Sequence, residues 1–188
     1  MAFVATRIFR LGQGNLTIQS AQATDAEEFL SQMQQASEET DFLARGSGEF
    51  HLALENERKF IEDKLSNPKE ILLVARYNNI LVGTLGFSSS SLLRYNHKGS
   101  FGISILKDYW SLGIGKKLIE TLFEWADANG IVKITLEVDT LNSRAIHLYK
   151  SLGFAEEGRL KMDRYMENKE FRDSLIMARF NPYYCRKV

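Results

Sequence analysis

The sequence predicts a mixed α/β (α+β) fold, a central and mostly antiparallel sheet flanked by helices. Three observations carry this. Two β-rich runs, "EILLVAR" (70–76) and "ILVGTLGFS" (80–88), bracket the turn "YNN", a hairpin signature. A strand–helix–strand stretch follows over 100–138. Two further strands, about 154–166 and 171–180, flank "ENKE". The whole order is β-α-α-β-β-β-α-β-α-β-β, and mostly antiparallel hairpins followed by a strand–helix–strand crossover give a mixed sheet.

Taken in order, "NLTIQSA" (15–21) alternates apolar and polar residues as a half-buried strand does. Thr24 is placed to cap the next helix, in which Ala26, Phe29, Leu30 and Met33 share one face. Residues 37–52 are polar with a short apolar break and read as a loop or broken helix. A second helix, near 55–66, sets Phe60, Ile61 and Leu65 on one side and stops before Pro68. After the hairpin, "SSSSLLRYNHKG" connects to the strand "SFGISIL" (100–106). A helix over about 113–128 ends at Gly130. In "VKITLEV" (132–138), Val132, Ile134, Leu136 and Val138 face one way. A short helix from Ser143 to Leu152 ends at Gly153, a good residue for a left-handed stop.

At 188 residues with no Pro-, Gly- or Ser-rich linker and no internal repeat, one domain is expected over 1–188, with its core at about 15–180. The net charge of zero argues against nucleic-acid binding. The basic end "CRKV" is too short to alter that. A lone Cys185 excludes an internal disulfide framework. With His51, His97 and His147 dispersed, no metal site is expected. No apolar run is long enough to span a membrane, and Arg7 and Arg10 break up the opening segment as a secretory signal. A cytoplasmic location follows by default.

The helix over 113–128 begins on "YWSLGIGKKL" (109–118), although each glycine costs a helix about 1 kcal/mol relative to alanine. A helix start offers unpaired N–H groups and partial positive charge, so phosphates bind there. Glycine also removes the Cβ that would hold a pyrophosphate off the backbone. Lys116 and Lys117 suit an anion better than they suit the helix dipole. A P-loop does not fit, because Trp110 stands at its first glycine and Lys117 at its Ser/Thr. A dinucleotide turn lacks its third glycine at Leu118. A glycine-eased bend between strand and helix is the bland alternative.

The second signal is "NSRAIHLYKSLGF" (142–154). Asn142 is a good N-cap. Tyr149 shares a face with Ala145, Leu148 and Leu152, which by itself reads as a core aromatic. Together, "SFGISIL…W-S-L-G-I-G…ITLEV…N…AIHLYKSLGF" resembles the GNAT superfamily of acyl-CoA N-acyltransferases. The likeness is specific over about 99–155 and extends in element order over 15–180. Trp110 departs from the family's Gln/Arg, at a position that contributes mainly backbone N–H groups.

The resemblance implies acetyl-CoA as co-substrate and an amine of a small molecule or peptide as acceptor. Strands 100–106 and 132–138 would splay to admit the thioester. Backbone groups of Ile103, Ser104 and Ile105 would pair with the pantetheine arm, one N–H polarising the acetyl carbonyl. Amides of Leu112, Gly113, Ile114, Gly115 and Lys116 would hold the pyrophosphate, and Asn142 the pantetheine or its neighbouring backbone. The amine would attack directly, with Tyr149 as the acid for the leaving thiolate and Glu137 as a candidate base. Glu137 reads more readily as a solvated or paired strand carboxylate. His97, Glu38, Glu39 and Asp41 are further acceptor-side candidates, each also readable as an ordinary surface group. Arg144 and Lys150 could meet the coenzyme's phosphates or only solvent. A non-catalytic acyl-CoA sensor on the same fold is the alternative, disfavoured because Tyr149 and Asn142 are both present. The C-terminal strands and "FNPYYC" (180–185) suggest an edge that a homodimer would cover.

Overall fold

The computed structural model describes residues 3–46, 48, 49 and 53–184, so His51, Cys185 and the "CRKV" end lie outside the described residues. One eight-stranded sheet runs in the order β1-β2-β3-β4-β5-β6-β8-β7. Its strands are β1 (Arg7–Leu11), β2 (Gly14–Ser20), β3 (Ile71–Tyr77), β4 (Ile80–Ser89), β5 (Lys98–Ile105), β6 (Lys133–Asp139), β7 (Ala155–Tyr165) and β8 (Phe171–Phe180). Only β5 and β6 are parallel. Helices α1 (Ala26–Glu39) and α2 (Leu54–Ser66) cover one face, and α3 (Ile114–Ala128) and α4 (Ser143–Ser151) the other.

Each face has its own core, as a sheet covered on both sides requires. Leu85, Phe87, Leu136 and Val138 meet Leu118, Leu122 and Trp125 of α3 and Tyr149 of α4. On the opposite face Leu72, Val74 and Leu81 meet Ala26 and Phe29 of α1 and Ile61 of α2. The β3–β4 turn takes the expected form. Asn78 and Asn79 both have positive φ, 49° and 71°, the conformation a two-residue hairpin loop demands. No helix among the described residues is long and apolar enough to cross a membrane.

Four sequence expectations need correction. The sheet starts earlier than residue 15, because "RIFRL" pairs along β2 from Arg7↔Ile18 to Leu11↔Gly14. Its two arginines obscured a strand that is only half buried, and Arg7 pairs with Glu124 across the surface. Gly14 permits that hairpin: a Cβ there would lie 2.2 Å from the Tyr77 ring. Thr24 does not cap the first helix. Asp25 stands at the N-cap of α1 without a side-chain cap bond, its carboxylate accepting the Gln22 N–H at 2.8 Å and so closing the short turn before the helix. Residues 37–39, assigned to a loop or broken helix, complete the last turn of α1. Finally, β8 is interior, lying between β6 and β7, so the free sheet edge near the C-terminus is β7.

Candidate active site

The site begins where β5 and β6 part. They pair only at Lys98↔Lys133, Gly99↔Ile134 and Ser100↔Thr135. Beyond Ser100, β5 stays bound to β4 as far as Gly83↔Ile105, and β6 to β8 as far as Asp139↔Ser174. The outer neighbours hold each strand while the sheet opens as a wedge between them.

Backbone alternation fixes which groups face that wedge. A strand residue turns both its N–H and its C=O to one neighbour, and the next residue turns to the other. The His97 C=O accepts from Val132 and Lys133 on the β6 side, while the Leu106 N–H donates to the Val82 C=O on the β4 side at 2.9 Å. Odd-numbered Phe101, Ile103 and Ile105 therefore turn toward the wedge. Ser104 turns to β4. Its side chain also lies outside the wedge, buried with Thr84 Oγ1 at 3.0 Å and Gln32 Nε2 at 3.1 Å. Of the three residues expected to offer backbone groups, Ile103 and Ile105 are placed to do so and Ser104 is not.

The start of α3 abuts the same strand end. Gly113 is the N-cap, with φ of 90° and no side-chain cap. The first helical bond runs from the Lys117 N–H to the Gly113 C=O, so the N–H groups of Ile114, Gly115 and Lys116 have no carbonyl one turn back. The two glycines do different work. Gly113 supplies the left-handed backbone, and a Cβ there would meet nothing within 4 Å. At Gly115 a Cβ would press on Ile105 Cδ1 at 3.2 Å and Leu148 Cδ2 at 3.3 Å. Gly115 thus seats α3 against β5 and α4, so its missing Cβ makes room for protein side chains and not for a pyrophosphate. Lys116 and Leu112 are exposed at the turn. Lys117 instead pairs with Glu120 at 2.8 Å and lies over the Phe9 ring.

Trp110 acts as a brace. Its indole N–H donates to the Ile105 C=O at 2.7 Å, and the Arg144 guanidinium stacks over its ring at 4.7 Å. The aromatic residue ties the strand end to the turn and to α4, which accounts for Trp at this position.

In α4, Asn142 Oδ1 accepts the Ala145 N–H at 3.2 Å, leaving the amide nitrogen for another partner. Tyr149 is buried, edge-on to Phe101 and Phe154 with ring centroids 6.0 and 5.8 Å away. Phe101 is the first β5 residue past the last pairing with β6, so the tyrosine ring lies at the base of the wedge. Its hydroxyl has no hydrogen-bond partner among the described residues. Burial pushes its pKa up to about 12, which keeps the phenol protonated.

Glu137 is exposed on β6, on the α1/α2 face, opposite buried Leu136 and Val138. The other acceptor-side candidates have structural partners. Glu39 accepts the Lys107 N–H at 2.6 Å, Glu38 accepts from Gln34, and Asp41 faces Arg172 at 3.7 Å. His97 is exposed and precedes the closed end of the wedge. Lys150 is exposed on α4.

One cluster escaped sequence reading. Asp139, its side chain fully buried, holds Arg164 and Arg172 at 3.4 Å each through Oδ2 and the Leu141 N–H at 2.8 Å through Oδ1. Arg164 also donates to the Leu43 C=O at 2.5 Å. A single carboxylate therefore fixes the turn into α4 and, through two arginines, the segment after α1. The available signal was an aspartate directly after the last apolar residue of a strand, with arginines on both arms of the "ENKE" hairpin.

The model of the Acetyltransferase (GNAT) family matches residues 28–154. This chain belongs to the GNAT acetyltransferase family. Among solved structures, a GNAT-family acetyltransferase from Streptococcus pneumoniae superposes with a TM-score of 0.84 at 33% identity, over 88% of this GNAT chain and 98% of that one. The yncA protein of Salmonella typhimurium, solved with its cofactor acetyl-CoA, has the same fold, with a TM-score of 0.77 at 18% identity over 88% and 94% of the two chains. The [ribosomal protein bS18]-alanine N-acetyltransferase of Salmonella typhimurium is 36% identical over 78 residues, 42% of this chain and 52% of its own length. Spermidine N(1)-acetyltransferase of Escherichia coli is 30% identical over 97 residues, 50% of this chain and 52% of its own. The chain thus spans about half the length of the curated relatives it matches.

Proposed function

We propose that this GNAT, over residues 1–188 as one domain, transfers the acetyl group of acetyl-CoA to a primary amine by direct attack. The observation that carries the reading is the wedge beyond Ser100 and Thr135, with the uncapped start of α3 at its open end. Pantetheine would pair with the backbone of Ile103 and Ile105, as an added strand does. The N–H groups of Leu112 to Lys116 would take the pyrophosphate, and Asn142 would donate its free amide to the pantetheine. Glu137 would take a proton from the arriving ammonium. As the amine nitrogen bonds to the carbonyl carbon, charge grows on the carbonyl oxygen, where a wedge-facing N–H would stabilise it. The C–S bond then breaks as the Tyr149 hydroxyl protonates the sulfur, and the second proton, shed by the new amide nitrogen, returns to the phenolate through water. Proton transfer from a phenol near 12 to a thiolate of thiol pKa ~8.5 is uphill by roughly 5 kcal/mol if it runs alone, so transfer concerted with C–S cleavage is required.

Relatives named for acetylating a ribosomal-protein alanine and spermidine both act on amines, which supports the amine as acceptor. We place the protein in the cytoplasm. We also expect a homodimer through the β7 edge, where the exposed rings of Tyr165 and Phe171 lie 4.9 Å apart; a monomer by light scattering at micromolar concentration overturns the dimer. The central experiment combines thermal unfolding with thiol release. Acetyl-CoA at a hundredfold excess over Kd should add about 2.7 kcal/mol of stability, and an amine panel should release free coenzyme A thiol. Stabilisation without thiol release from any amine would make the protein a binder and not an enzyme.

A further inference from the structure

A polar groove of about 380 Å³ lies on the α1/α2 face of the sheet, at the closed end of the wedge. It is lined by Ser88, Ser90, Tyr95, Lys98, Ser100 and Thr135. Along its floor, Gly102 follows Ser100 on β5, and a Cβ at Gly102 would meet nothing within 4 Å. Glu137 follows Thr135 on the same face of β6. The groove therefore leads from Lys98 toward the point where Glu137 meets the opening of the sheet.

The charges along it are unequal. Three lysines stand around its closed end. Lys64 is paired with Glu70, and Lys133 with Glu157 at 2.6 Å. Lys98 has no carboxylate partner among the described residues, and its ammonium lies over the Tyr95 ring at 5.2 Å. A half-buried ammonium among hydroxyls, held by a ring face alone, is a ready partner for an anion. Of the carboxylates that could have drawn in a polycation, Glu39 accepts the Lys107 N–H and Asp41 faces Arg172, while Glu38 accepts from the Gln34 amide.

We infer that the acceptor is an extended, peptide-like amine with a carboxylate side chain two or three residues from its N-terminus, the amine meeting Glu137 and the carboxylate meeting Lys98. The spacing follows from the register. Lys98 lies opposite Lys133, four residues before Glu137, or about 13 Å at 3.3 Å per strand residue. The reach of the two side chains shortens this to roughly 10 Å, the span of about three extended residues. The inference rests on the acetyltransferase reading and on Glu137 as the amine's partner.

The test compares two peptide amides, Ala-Gly-Glu-Gly and Ala-Gly-Gln-Gly, in wild type and in the Lys98→Gln and Lys98→Glu variants. Wild type should favour the glutamate peptide in kcat/KM by about tenfold, the scale of one charge-assisted hydrogen bond. Lys98→Gln should level the two peptides, Lys98→Glu should reverse the order, and added salt should shrink both effects. Acetyl-CoA affinity, measured on the same variants, should not move and certifies that they fold. Equal use of both peptides by wild type overturns the inference. So does acetylation of simple diamines with neither peptide accepted, a result that leaves the acetyltransferase reading intact. If no amine is acetylated and acetyl-CoA does not stabilise the protein, that broader reading falls too.

Discussion

The two sides of the wedge are built on different physical plans. The proposed coenzyme side, from the end of β5 through α3 to α4, is made of backbone. Gly113 turns the chain, Gly115 lets three elements touch, and the N–H groups of a helix start point outward with no side-chain cap. The proposed acceptor side is made of charge. Asp139, Arg164 and Arg172 join β6, β7 and β8 to the segment after α1, and Lys98 lines a polar groove whose β6 wall, at Thr135, lies two residues before Glu137. A backbone site needs only a local sequence to form and serves a ligand that does not vary. A charged site draws on residues more than a hundred positions apart, as Arg164 and Leu43 are, and can be altered one side chain at a time.

The largest expected effect tests the coenzyme side. Tyr149→Phe keeps the ring against Phe101 and Phe154, so the fold should survive. If the hydroxyl protonates the sulfur, kcat falls by about 10²–10⁴ while KM for acetyl-CoA moves little. A change within threefold, at saturating acetyl-CoA and with a good acceptor, would falsify the acid role and leave Tyr149 a packing residue.

Next comes the acceptor side. Asp139→Ala leaves two arginines facing each other without their carboxylate, a loss of about 3–5 kcal/mol when a buried ion pair loses one partner. Urea unfolding reads it directly. A loss below about 1 kcal/mol would mean that solvent reaches the pair and that the network does not anchor the segment after α1.

A smaller effect separates the two glycines. Gly115→Val should cost about 1–3 kcal/mol by overpacking, since even its Cβ presses on Ile105 and Leu148. The loss should be seen in the protein without any ligand. Gly113→Ala meets no neighbour but strains a backbone at φ of 90°, at about 1–2 kcal/mol. If Gly115→Val is as stable as wild type and only acetyl-CoA binding suffers, Gly115 faces the ligand after all.

What was legible in the sequence follows the same division. The strand–helix–strand run, the turn at Asn78 and Asn79, and the N-cap at Asn142 rest on residues within a few positions of one another, and local preference agrees with the fold there. The strand Arg7–Leu11 was hidden because two of its five residues are arginine, and it holds its place by pairing with β2. The alternation of β5 could not be phased from sequence, since only the bonds of His97 and Leu106 reveal that Ser104 turns away from the wedge. The partners of Asp139 come from two other strands, and no spacing rule links them.

The smallest expected effect concerns a second buried carboxylate on the α1/α2 face. Glu57, in the first turn of α2, is 4% exposed, and its Oε1 has no hydrogen-bond partner among the described residues. Burial raises its pKa above the ordinary 4.5, and the charge of Arg45 opposes the rise. A carboxyl that binds its proton more tightly folded than unfolded favours folding when protonated. Its contribution is full below about pH 4.5 and is lost as the pH climbs through the raised value. Glu57→Gln keeps the shape and stays neutral, so it should be more stable than wild type at pH 7, with the difference closing as the pH falls toward 4.5. Melting temperatures of the two proteins between pH 4 and 8 decide the matter. A variant less stable than wild type at pH 7 would mean that Glu57 is ionised in the folded protein and that the Arg45 charge outweighs the cost of burial.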